Sequence, residues 1–153
     1  AAGRAAVKSF GVKSRFVHFE FFRLTQDHAY LGKKGRIIGL EVNYRPSGGF
    51  TPDMINYACS TDVYKDWADM VAFDRLTKAD YPDKYYCVSA GCRKEKHYLH
   101  SYEEVMAEYK DDIMMTTELP EVLASAMGDR LYLARFAEKE AMDAFISYVF
   151  AAA

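Results

Sequence analysis

Gly39-Leu40-Glu41-Val42-Asn43-Tyr44-Arg45-Pro46 is the stretch on which the reading of this chain turns. Long polar side chains recur at every second residue, separated by the apolar or aromatic Leu40, Val42 and Tyr44. Alternate residues of a strand share a face. The octet therefore predicts that Glu41, Asn43 and Arg45 project together, about 6–7 Å apart. Pro46 agrees with this, because a residue before proline is pushed into the extended region. A carboxylate and an amide oxygen are hard ligands suited to Mg²⁺, and a guanidinium is a fork shaped for phosphate or carboxylate. Together they predict a metal–phosphate site.

Working outward, residues 15–24 (Arg-Phe-Val-His-Phe-Glu-Phe-Phe-Arg-Leu) read as an aromatic, buried strand with Glu20 in its middle. Residues 36–44 form the next strand, and the polar segment between them ends in Gly35. A hairpin is the economical arrangement, with Lys33-Lys34-Gly35-Arg36 at a solvated tip. Setting Leu24 opposite Ile37 puts Glu20 opposite Glu41. Directly opposed carboxylates, with Cβ atoms about 4.5–5.5 Å apart, repel. A divalent cation between them would convert that repulsion into ligation, and a slip of one residue would separate the pair.

Composition points to a folded protein. The 153 residues suffice for a sizeable core, half of them are hydrophobic, and the net charge is only −2. That balance argues against disorder and against a nucleic-acid surface. No apolar stretch has membrane length, and three cysteines without a signal peptide favour a reducing, cytoplasmic setting.

Beyond Gly48-Gly49 the pattern turns helical. Thr51-Pro52-Asp53 is a start signal, and Ser60-Thr61-Asp62 opens a second helix whose stripe of Val63, Trp67, Met70 and Val71 reads as core. A boundary is expected at about 75–83, around Pro82. The remainder predicts strands at 84–91 and 97–100, a helix opened by the Ser101-x-x-Glu104 capping box, and a strand at 112–118. A short helix from Pro120 to near Gly128, a strand at 130–136 and a helix over 138–149 complete it. The class is α+β with antiparallel sheet, divided into regions 1–75 and 84–150.

The run Phe19-Glu20-Phe21, then Ile38 to Pro46 and Gly48-Gly49, resembles the metal-binding end of the ATP-grasp superfamily. The stretch from Gly48 to Tyr57, with Asp62-Val63-Tyr64 and Trp67-Ala68-Asp69-Met70, looks like members described as carboxylate–amine ligases or carbamoyl-phosphate-synthase-like. The matching stretch covers residues 15 to about 74. The resemblance implies the carboxy-terminal half of an ATP-grasp domain followed by a small α+β unit. It implies ATP and Mg²⁺ (or Mn²⁺) as cofactors, with Glu20 and Glu41 binding the metal and Asn43 completing the second metal's shell. Arg45 would stabilise the transferred phosphoryl group or an acyl phosphate, which an amine or ammonia then opens. The implied substrates are a small carboxylate and an amine.

No Gly-rich phosphate loop precedes the first metal strand, as Gly3 and Gly11 stand alone. The chain is accordingly expected to be the carboxy-terminal part of a larger enzyme and inactive by itself. A missing amino-terminal portion, or another copy in a homo-oligomer, would cover apolar surface at residues 10–24. The alternative is a degenerate, non-catalytic ATP-grasp module acting in binding or assembly.

Other residues have plainer readings. His18 shares Glu20's face and is either a core histidine or a support for that carboxylate, whereas Arg23 falls on the opposite face. Cys87-x4-Cys92 with His97 matches no common zinc spacing and reads as reduced, buried cysteine. His97 and His100 lie three apart in an expected strand, which makes them structural. Asp53 and Asn56 read as capping or solvated residues near the metal loop.

Overall fold

A computed structural model describes residues 2–75 and 83–153. The described residues form an α+β fold of six helices and two small antiparallel sheets, one of two strands and one of three. They group into two compact units: Ala1–Pro52 with Tyr64–Ala79, and Asp53–Val63 with Asp80–Ala153. Residues 53–63 thus group with the carboxy-terminal unit. Most of the expected boundary at 75–83 lies outside the described residues.

The first unit opens with helix α1 (Ala2–Ser9), which the sequence reading did not anticipate. Its alanine-rich run is strongly helix-forming. It ends where Gly11 adopts φ +62°, with the Gly11 N–H on the Lys8 carbonyl and the Val12 N–H on that of Val7. Strands β1 (His18–Arg23) and β2 (Ile37–Asn43) pair antiparallel. One face of this ribbon carries Phe19, Phe21 and Val42, which with Ala6 and Phe10 line an apolar groove of about 270 Å³. The tip is closed by His28 and Gly32, which exchange backbone hydrogen bonds at 2.8 and 3.0 Å. There Asp27 accepts from the Lys33 ammonium (2.7 Å) and the Lys34 N–H (2.9 Å). Lys33 chiefly, then Lys34, holds its carboxyl below the usual range.

Helix α2 (Thr51–Cys59) follows, and α3 (Val63–Phe73) begins with the Val63 N–H on the Asn56 side-chain oxygen at 2.7 Å. The stripe predicted for α3 needs correction. Val63 and Met70 are buried, but Trp67 is 44% exposed and Val71 66% exposed; Asp66 and Asp69 are buried instead. Lys65 donates to Asp69 at 2.5 Å, so the i,i+4 ion pair accompanies that burial.

The second unit is built on β3 (Tyr86–Cys92), β4 (Ile113–Glu118) and β5 (Arg130–Phe136), in the order β3-β5-β4. Central β5 is buried on both faces, Leu131 and Leu133 on one and Tyr132, Ala134 and Phe136 on the other. The latter three form the core with Ala90 of β3, Val105 of α4 (Tyr102–Glu108), and Phe145 and Val149 of α6 (Lys139–Val149). The capping box is realised: the Ser101 hydroxyl accepts from the Glu104 N–H at 3.2 Å, and Glu104 accepts from the Ser101 N–H at 2.8 Å.

Helix α5 (Glu121–Met127) ends against β3, and Gly91 permits that approach. A Cβ there would stand 1.9 Å from the Met127 carbonyl oxygen. The strand expected at 97–100 is not formed; Tyr98 makes a single bridge with Ala152, and His100 stacks on Tyr148 with centroids 3.6 Å apart.

Candidate functional site

Glu20 and Glu41 are direct cross-strand partners, as are His18 and Asn43. The route to that pairing differs from the expected one. Arg23, rather than Leu24, lies opposite Ile37, a slip of one residue. The register then shifts between Phe21, opposite Gly39, and Glu20, opposite Glu41. Leu40 is the extra residue of a β-bulge and restores the carboxylate pairing. A glycine inside a strand often marks such a bulge, so Gly39 was the available signal.

The polar face of the ribbon therefore gathers His18, Glu20, Glu41 and Asn43. The Asn43 amide donates to the Glu41 carboxylate at 2.5 Å. His18 Nε2 lies 3.5 Å from a Glu20 oxygen, while its Nδ1 is buried without a hydrogen-bond partner. Glu20 is not the buried acid that its aromatic flanks predicted: its side chain is 43% exposed, against 25% for His18. The outer half of β1, from Phe21 to Arg23, is also exposed.

Arg45 departs from the expected geometry too. Strand β2 ends at Asn43, so Arg45 lies in the bend beyond it, and its guanidinium donates to the Pro46 carbonyl at 2.9 Å. Period-two alternation holds only as far as the strand does. Three of the four predicted site residues are thus brought together, and Arg45 stands next to them with its fork turned to its own backbone.

Among the described residues no group of three or more His, Cys, Asp or Glu is assembled to hold a metal. What the ribbon offers is two opposed carboxylates and one amide. That donor set suits Mg²⁺, which is ordinarily held by one or two carboxylates, its own waters and substrate phosphate oxygens. Asn43 would ligate through its oxygen only after turning its N–H₂ away from Glu41. Zinc chemistry at Cys87 and Cys92 is not assembled: both are free thiols near opposite ends of β3, and burial pushes both above the ordinary thiol range.

No family model, curated protein or solved structure matches the chain. The site rests on its own geometry. Among the described residues no helix is long and apolar enough to cross a membrane.

Proposed function

We propose that the β1–β2 ribbon is the Mg²⁺–phosphate end of an ATP-dependent ligase that activates a carboxylate for attack by an amine or ammonia. The observation that carries this reading is the bulge-corrected pairing of Glu20 with Glu41. Like charges placed directly opposite each other destabilise a ribbon, and a bound divalent cation reverses the sign of that interaction. Such an ion, when bound, would cancel phosphate charge, which is the main requirement of phosphoryl transfer.

The chain's own residues have distinct tasks in this reading. Glu20 and Glu41 hold the ion from adjacent strands, and the bulge at Leu40 fixes their alignment. Asn43 holds Glu41 through its 2.5 Å hydrogen bond and exchanges that bond for ligation by its amide oxygen when the ion binds. Arg45, freed from the Pro46 carbonyl, presents a planar fork to phosphoryl or carboxylate oxygens. Half-exposed Glu20 remains open to a solvent-borne substrate.

The test is the ATP turnover of the Glu41→Gln variant. A ligase loses ATP turnover by about 100-fold or more, since a preorganised charge partner of the transferred group is removed. Unchanged ATP consumption, with any partner binding retained, would instead identify a non-catalytic module.

A further inference from the structure

The second unit holds a cleft that no role above uses. It lies on the helix-bearing side of the sheet and is lined from the ends of β3, β4 and β5, the first turn of α4 and the end of α6, with a volume of about 230 Å³. Its floor is apolar and buried, formed by Val105, Tyr132 and Val149. One wall is the Tyr102 ring, over which the Arg130 guanidinium sits at 4.2 Å, with Tyr132 stacked beside it at 6.2 Å.

The charges around this cleft are unequally committed. Arg130 donates to Glu118 at 2.8 Å across the β4–β5 pair. The Arg93 guanidinium is spent on the Ala124 and Ser125 carbonyls at 3.1 and 2.9 Å, and Asp129 accepts the Lys94 backbone N–H at 2.8 Å. The ammonium groups of Lys94 and Lys96 make no hydrogen bond or ion pair among the described residues, and both residues are exposed where they line the cleft. The lining carries four cationic side chains against the two carboxylates of Glu118 and Asp129.

Two uncommitted cations beside an aromatic, low-dielectric concavity differ from ordinary solvated lysines, because such walls focus the field toward the opening. An apolar floor with a few convergent polar groups is the usual make-up of a small-molecule site. The volume falls below the roughly 300–1,000 Å³ of sites for drug-sized ligands, which suits a single-ring molecule. Nucleophilic chemistry is disfavoured: the cleft's thiol, Cys92, is held in its neutral form by burial, which the nearby Arg130 charge offsets only in part.

We propose that this cleft binds a small organic anion, a single-ring body seated on the Tyr132–Val149 floor with its phosphate or carboxylate head between Lys94 and Lys96. The inference is independent of the ribbon and of any ligase activity. It is tested by titrating the ¹⁵N-labelled 153-residue chain with phenyl phosphate, benzoate and neutral benzyl alcohol, following amide shifts. The expected result is saturable shifts at residues 92–100 and 130–132 with at least one of the anions and not with the alcohol. The better anion tells whether the head is a phosphomonoester or a carboxylate. The double variant Lys94→Ala/Lys96→Ala, both at exposed positions, should weaken binding at least about tenfold through loss of charged hydrogen bonds. Failure of both anions to saturate, equal binding of benzyl alcohol, or unchanged affinity in the double variant would overturn the proposal.

Discussion

The two antiparallel sheets of this chain share strand lengths of six to seven residues yet do opposite things. In β5 five of seven residues are buried, and apolar side chains on both faces hold the second unit together. In the β1–β2 ribbon no residue is fully buried, and one face collects two carboxylates, an amide and an imidazole. Burial makes the first sheet a source of stability. In the ribbon the directly opposed carboxylates of Glu20 and Glu41 repel instead of contributing burial.

That contrast can be broken most severely at Phe145, which is fully buried between Tyr109 and Phe136. Phe145→Ala should cost about 3–5 kcal/mol, read by urea denaturation followed at β5 amides. A cost below about 1 kcal/mol would mean that β5 is not the organising strand. Next is Gly91→Ala, where the added methyl meets the Met127 carbonyl backbone at 1.9 Å. Overpacking of this kind costs about 1–3 kcal/mol or more, and the same denaturation curve measures it.

Ser101→Ala removes one side of a capping box and should cost about 1 kcal/mol. The box also predicts a pH dependence. Hydrogen bonds from the Ser101 backbone N–H, then its side chain, hold the Glu104 carboxyl below the ordinary range. A depressed folded value means that this contribution is present above the unfolded carboxylate range and fades as pH falls through the folded value. Acid titration of wild type against Ser101→Ala should show the variant with the shallower loss.

The smallest effect on stability should come from Glu20→Gln, within about 0.5 kcal/mol and toward stabilisation, since a like-charge pair is relieved. A clear destabilisation would show that Glu20 is a structural acid, and the contrast between the sheets would weaken.

Much of the second unit was legible because its signals are local. The Ser101-x-x-Glu104 box, the glycine at 128 and the apolar run of β5 each fix an element without reference to the rest of the chain. The site was legible in its residues but not in its geometry. Alternation puts Glu41 and Asn43 on one face and the expected register puts Glu20 opposite Glu41, as observed, whereas the bulge at Leu40 displaces the pairs from Phe21 to Arg23 by one residue. Arg45 departs from the expected face because period-two alternation does not show where a strand stops, and Pro46 is compatible both with an extended Arg45 and with the end of the strand. Glu20 and Trp67 were read as buried from their neighbours alone, although burial depends on what packs over them. The cleft at Tyr132 was invisible in sequence, because it joins residues from β3, β5, α4 and α6 that have no common spacing.

The opposed carboxylates of the ribbon are proposed to hold a divalent cation. Paramagnetic broadening by Mn²⁺, with and without ATP, tests it most directly on the ¹⁵N-labelled chain. Selective loss of the amide signals of Glu20, Glu41 and Asn43 is expected at substoichiometric Mn²⁺, with or without the nucleotide, with recovery of those signals in Glu41→Gln. Broadening spread evenly over the other acidic residues, or unchanged by Glu41→Gln, would contradict it.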